Sequence, residues 1–134
     1  MITEKLYAEV SRIVGSIQPL TGAYLKTRVE GVERGDIKLA QLKLDLRIAA
    51  GKFDQAHAEL NAIRFPRFRQ RFEFAKFTAG IQHYNRAIPL IIEAVETGSA
   101  TLWRKVDGKL AAAARANDNY ISFVYRDRTE GRRS

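Results

Sequence analysis

Between residues 74 and 95 the apolar side chains Phe74, Phe77, Ile81, Tyr84, Ile88, Ile91 and Val95 step alternately by three and four. Only an α-helix returns such positions to one side, because its turn of about 3.6 residues nearly matches the mean step. The spacing predicts a long helix over 67–95 with one continuous apolar seam. Pro66 stands just ahead of it, where a missing N–H is tolerated. Pro89 lies inside it and removes a helix hydrogen bond, so a kink or break is expected near residue 88.

Such a seam needs partners, and the rest of the chain supplies helical spacing. Leu6, Val10, Ile13, Val14 and Ile17 form one stripe, which Thr3 can cap and Pro19 limits. Leu20, Tyr24, Leu25, Val29 and Val32 suggest a second helix, weakened at its end by Gly31 and Gly35. Asp36 is a plausible N-cap for a third over 37–50, with Gly51 as its stop. Leu42, Leu44, Leu46 and Ile48 alternate there with the period of a strand. Helix is favoured because Leu39, Ala40, Ala49 and Ala50 flank the run, and strand is the alternative.

Asp54 can cap a fourth helix carrying Phe53, Ala56, His57, Leu60 and Ile63 on one face. Beyond Gly98-Ser99 a sixth would turn Leu102, Trp103, Val106, Leu110 and Ala114 inward. Asn117-Asp118-Asn119 has turn composition. Residues 120–126 fit a short helix or an extended arm, and the polar remainder fits a loose tail. The expected fold class is all-α, a single compact bundle of five to six helices around the 67–95 segment. The domain would span 1–125, with a basic tail over 126–134.

A length of 134 residues suits one domain, and a 46% hydrophobic fraction suits a packed core. The absence of cysteine excludes a disulfide framework, a zinc ribbon, an iron–sulfur site and a thiol nucleophile. The opening MITEKLYAEV has no apolar signal core. The longest apolar run, AIPLII at 87–92, is too short to span a bilayer. A cytoplasmic protein without membrane contact is therefore expected.

Residues 51–66, GKFDQAHAELNAIRFP, carry Gly51, aromatic Phe53, small Ala56, large apolar Leu60 and Ile63, and a terminal Pro66. This stretch resembles the second half of a tetratricopeptide repeat. Tyr84, Ala87, Ile91 and Ala94 echo it 31 residues after Phe53, Ala56, Leu60 and Ile63. The resemblance covers part of the chain only. It implies paired helices and a concave groove that binds peptide or protein.

Catalytic chemistry has little to work with. His57 and His83, the only histidines, lack the spacing of a zinc-binding helix motif. GVERG at 31–35 lacks the context of a nucleotide-binding loop, and no nucleophile-elbow motif occurs. Glu93 and Glu96 suit a solvated helix face. No enzyme, no metal and no cofactor are expected.

The charge is more informative. The chain carries a formal net charge of +8, which suggests polyanion contact. Arg64, Arg67, Arg69, Arg71, Lys76 and Arg86 face the single acid Glu73 across residues 61–86. On a helical projection Phe65, Phe68 and Phe72 fall opposite the long seam, with Arg64 and Arg71 on one flank and Arg69 and Lys76 on the other. Two arrangements produce this. The helix is sandwiched in the core with its arginines reaching outward, or the aromatic face is a contact surface. Burying three phenylalanines is worth about 5–8 kcal/mol, so an exposed face calls for a partner.

Lys105 and Lys109 share a face of the last helix, accompanied by Arg104 and Arg115, and Arg126, Arg128, Arg132 and Arg133 end the chain. The leading expectation is non-catalytic binding of a nucleic-acid backbone within a larger assembly. The assembly would be a nucleoprotein, a regulatory complex or a phage packaging or connector component. Arg64, Arg67, Arg69, Arg71, Lys76 and Arg86 would contact phosphates, and Lys105, Lys109, Arg126 and Arg128 would extend the track. The alternative is a helical adaptor or chaperone, tetratricopeptide-like, whose Phe65, Phe68 and Phe72 are covered by a protein partner or a second copy.

Overall fold

The computed structural model describes residues 4–133, with side chains described through residue 127. It contains α1 (Glu4–Ile17), a 3₁₀ turn (Gln18–Leu20), α2 (Gly22–Glu33), α3 (Leu39–Asn61), α4 (Phe68–Thr97) and α5 (Ala100–Arg133). No strand occurs among the described residues, so the architecture is all-α. Thr3, the expected cap of α1, lies outside the described residues.

The seam is buried as its spacing requires. Phe74, Phe77, Ile81, Ile88 and Ile91 are in the core, and Tyr84 and Val95 pack at its edge. The helix that carries them runs unbroken through Pro89. Gly98 closes it in the left-handed conformation, φ 70°, and donates its N–H to the Ala94 carbonyl at 2.8 Å. Glycine adopts that conformation without steric cost. Ser99 then accepts the Leu102 N–H on its hydroxyl and starts α5.

Two sequence expectations are corrected, and the helix favoured over 42–48 is observed. The third and fourth helices are one, because α3 continues through Gly51. Ala49 and Phe53, on either side of that glycine, are both sealed in the core. Their burial outweighs a helix penalty of about 1 kcal/mol for glycine. Asp36 does not cap this helix, which begins at Leu39; its carboxylate pairs instead with Arg34 at 3.1 Å. The alternation at 42–48 resolves into two sides of α3: Leu42 and Leu46 are fully buried, whereas Leu44 and Ile48 are exposed.

The last helix also overrides its local signals. Asn117-Asp118-Asn119 is helical, and α5 passes the expected tail boundary at residue 126 without interruption. Asp127 is anchored: its carboxylate accepts the Tyr7 hydroxyl at 2.7 Å and the Gln70 amide at 3.5 Å. This joins α1, α4 and α5 through a side chain near the end of the chain.

The helices do not pack equally. α4 and α5 form an antiparallel hairpin and approach closely. A Cβ added to Gly80 would lie 2.3 Å from the Ala116 Cβ, so this crossing needs glycine. Phe77 stacks on Tyr120 with centroids 4.4 Å apart. α3 covers the other side of α4, where Phe53 stacks on Tyr84 at 5.1 Å. α1 and α2 both lean on α3. Between α1 and the hairpin lies a cleft of about 380 Å³, lined by Val10, Val14, Ile81, Tyr120 and Val124 among others. A second, of about 600 Å³, separates α2 from Ile91, Trp103 and Val106.

Candidate functional site

The Phe-Arg stretch is not a single rod. Residues 62–67 form a non-helical connection between α3 and α4, and the helix begins only at Phe68. Phe65 therefore leaves the face assigned to it. It folds into the core, 3% exposed, with its ring edge-on to Phe74 at 4.5 Å. The expected three-ring surface is thus corrected to two rings, Phe68 and Phe72, which are 74% and 54% exposed.

The arginines divide with the backbone. Arg64 donates to the Asn61 carbonyl at 2.6 Å, and Arg71 donates to the Phe65 carbonyl at 3.3 Å. Both brace the connection while remaining exposed. Arg67 precedes the first turn, and its backbone N–H donates to the Gln70 side chain at 3.4 Å. Arg69 and Lys76 instead lie along α5. Arg69 sits over the Phe123 ring at 5.8 Å. Lys76 pairs with Glu73 at 3.1 Å, sits over the Phe72 ring at 4.8 Å, and shares a shallow depression with Arg115, Ala116 and Asn119.

Farther along the hairpin, Arg86 meets Lys109 and Arg115 around His83. Partial burial, and then the fields of Lys109, Arg86 and Arg115, push the His83 pKa below its usual 6.5. Like charges this close to an imidazole disfavour a further proton. The His83 Nδ1 is buried and has no hydrogen-bond partner among the described residues.

The structure thus brings Arg69, Lys76, Arg86, Lys109 and Arg115 to one face of the α4–α5 hairpin. Helical spacing extends it to Lys105, one turn before Lys109, and to Arg126 beyond Phe123. Glu73 shares this face, pairing with Lys76 and lining the depression with Arg115 and Asn119, whereas two acids of α5 lie elsewhere. Asp118 acts on Tyr84, at the α1 cleft, and Asp107 lines the α2 cleft. Glu73 is the one acid of α4 between Phe68 and Arg86. The Arg128 side chain lies outside the described residues.

Arg115 was named only as a companion of Lys105 and Lys109, and His83 and Asn119 were missed as members of this face. Carrying the projection of residues 102–114 through 117–119 finds Asn119, and the projection of α4, on which His83 falls between Arg86 and Lys76, finds His83. No helix among the described residues is long and apolar enough to cross a membrane. Compared with family models, curated proteins and solved structures, the chain matches none.

Proposed function

We infer that the protein binds a nucleic-acid backbone through the α4–α5 face, without catalysis, as a component of a larger assembly. One observation carries this reading: the hairpin gathers five cations, Arg69, Lys76, Arg86, Lys109 and Arg115, on one side, where Glu73 offsets only Lys76. A surface of that kind concentrates a polyanion by releasing its counterions. Arg69, Lys76, Arg86, Lys109 and Arg115 are the phosphate contacts, and Lys105 and Arg126 lengthen the track. Arg64 and Arg71 serve the loop first.

Salt titration tests this. Affinity for a duplex or single-stranded oligonucleotide should fall steeply with salt, with a logarithmic slope of about −0.7 to −0.9 per phosphate contacted. Changing Lys76 and Arg115 together to Ala should reduce that slope by about 2. An affinity insensitive to salt, or a slope unmoved by the double change, would remove the assignment.

The exposed Phe68 and Phe72 favour a second reading, an adaptor that holds a protein partner on the same face. Aromatic and arginine side chains are both enriched at such interfaces. Affinity for that partner should change little across the same salt range.

A further inference from the structure

The basic face carries two rings as well as its charges. Phe68 and Phe72, one turn apart on α4, lie near-parallel at 18° with centroids 6.3 Å apart. Both stand largely in solvent, whereas Phe53, Phe65, Phe74, Phe77 and Phe123 are core residues. Lys76 lies over one ring, and Arg69, on the turn between them, is held over Phe123. A polyanion offering only phosphates or sulfates would set these rings against charged oxygens. A duplex keeps its base faces stacked inside. A single strand presents both groups that the face complements, a flat apolar base and a phosphate.

Resting on the polyanion reading above, we propose that Phe68 and Phe72 form a stacking platform for the bases of a single-stranded nucleic acid. Its phosphates run along Lys76, Arg115, Lys109 and Arg86. Stacking of this kind tolerates any sequence, because every base has a π face. From Phe68 to Arg86 the helix rises about 27 Å, room for roughly eight nucleotides at stacked spacing. The charge makes a protein occupant less suitable: it would need an acidic surface of the same length with apolar side chains at one end.

The test compares three probes by fluorescence anisotropy at low salt: a labelled oligothymidylate of about 20 nucleotides, a duplex of equal length, and heparin. The single strand should bind more tightly than the duplex. The double change Phe68→Ala, Phe72→Ala should weaken single-strand binding about tenfold or more, leaving heparin affinity and the salt slope in place. Phe72→Trp should retain binding, and its indole emission should be quenched by the oligothymidylate. Both rings are exposed, so an unchanged thermal melt of the Ala variant separates loss of stacking from loss of fold. Unchanged single-strand affinity in that variant overturns the platform and leaves the polyanion reading intact. Tighter duplex binding that depends on the rings also overturns it, because the rings then act as groove wedges. Failure to bind all three probes removes the polyanion reading, and the platform with it.

Discussion

The α4–α5 hairpin and the α1–α2 layer are both built from amphipathic helices, yet they meet their neighbours differently. The hairpin places Gly80 against Ala116 and fills the rest with interlocking rings. Small residues let two backbones close, and aromatic pairs then add to the area they bury. α1 and α2 bring Tyr7, Val10, Ile17, Leu25 and Val29, larger side chains that rest on α3 and leave clefts toward the hairpin. Rigidity here follows from which residues occupy the crossing. The candidate site lies on the tighter of the two regions, as a charged surface needs if its cations are to keep their spacing.

The largest expected effect that probes this contrast is truncation of the hairpin's stack. Phe77→Ala removes a ring that touches both Phe74 and Tyr120 and should cost about 3–5 kcal/mol in chemical denaturation. Val10→Ala, beside the α1 cleft, should cost only about 1.5 kcal/mol. Equal losses would mean that the two regions are equally packed.

Next in size is Gly80→Ala, which sets a methyl against Ala116 and should destabilise by about 1–3 kcal/mol, despite alanine's better helix propensity. Gly31→Ala in α2 meets Cδ1 and Cγ1 of Ile37, a half-buried side chain on the connection to α3 rather than the facing helix of the hairpin, and its thermal midpoint should move less. A neutral Gly80→Ala would show that the hairpin crossing has slack.

The smallest effect is on pH. The folded state resists protonation of His83, so the unfolded chain binds more protons just below pH 6.5. Stability should therefore fall as the pH is lowered through that value, and His83→Asn should remove part of the dependence. Burial pushes Tyr84 and Tyr120, beside the α1 cleft, above their usual 10. Stability should decline again as the pH rises past 10. Denaturation midpoints measured across this range check both signs.

The long seam was legible in the sequence because its period is helical over six turns, and its residues are buried as expected. The breaks at Gly51 and Asn117-Asp118-Asn119 were misleading. Local turn preference amounts to about 1 kcal/mol or less per residue, and buried neighbours such as Phe53 and Tyr120 outweigh it. The candidate site was half legible. Arg69, Lys76 and Arg86 were placed on α4, and Lys105 and Lys109 on one face of the last helix, but Asn119 and Arg126 lie at or past the point where composition signals an end to that helix. Phe65 was misplaced because no periodicity marks the point where the chain leaves α3, crosses residues 62–67 and begins again.

The Tyr7–Asp127 hydrogen bond spans 120 positions of the chain. During synthesis the first helix therefore leaves the ribosome with α3 as its earliest available support, and its clasp to α5 forms only once residue 127 has been made. A nascent chain stalled before residue 127 would hold α1 on one side alone, so limited proteolysis of arrested chains should find its cut sites there.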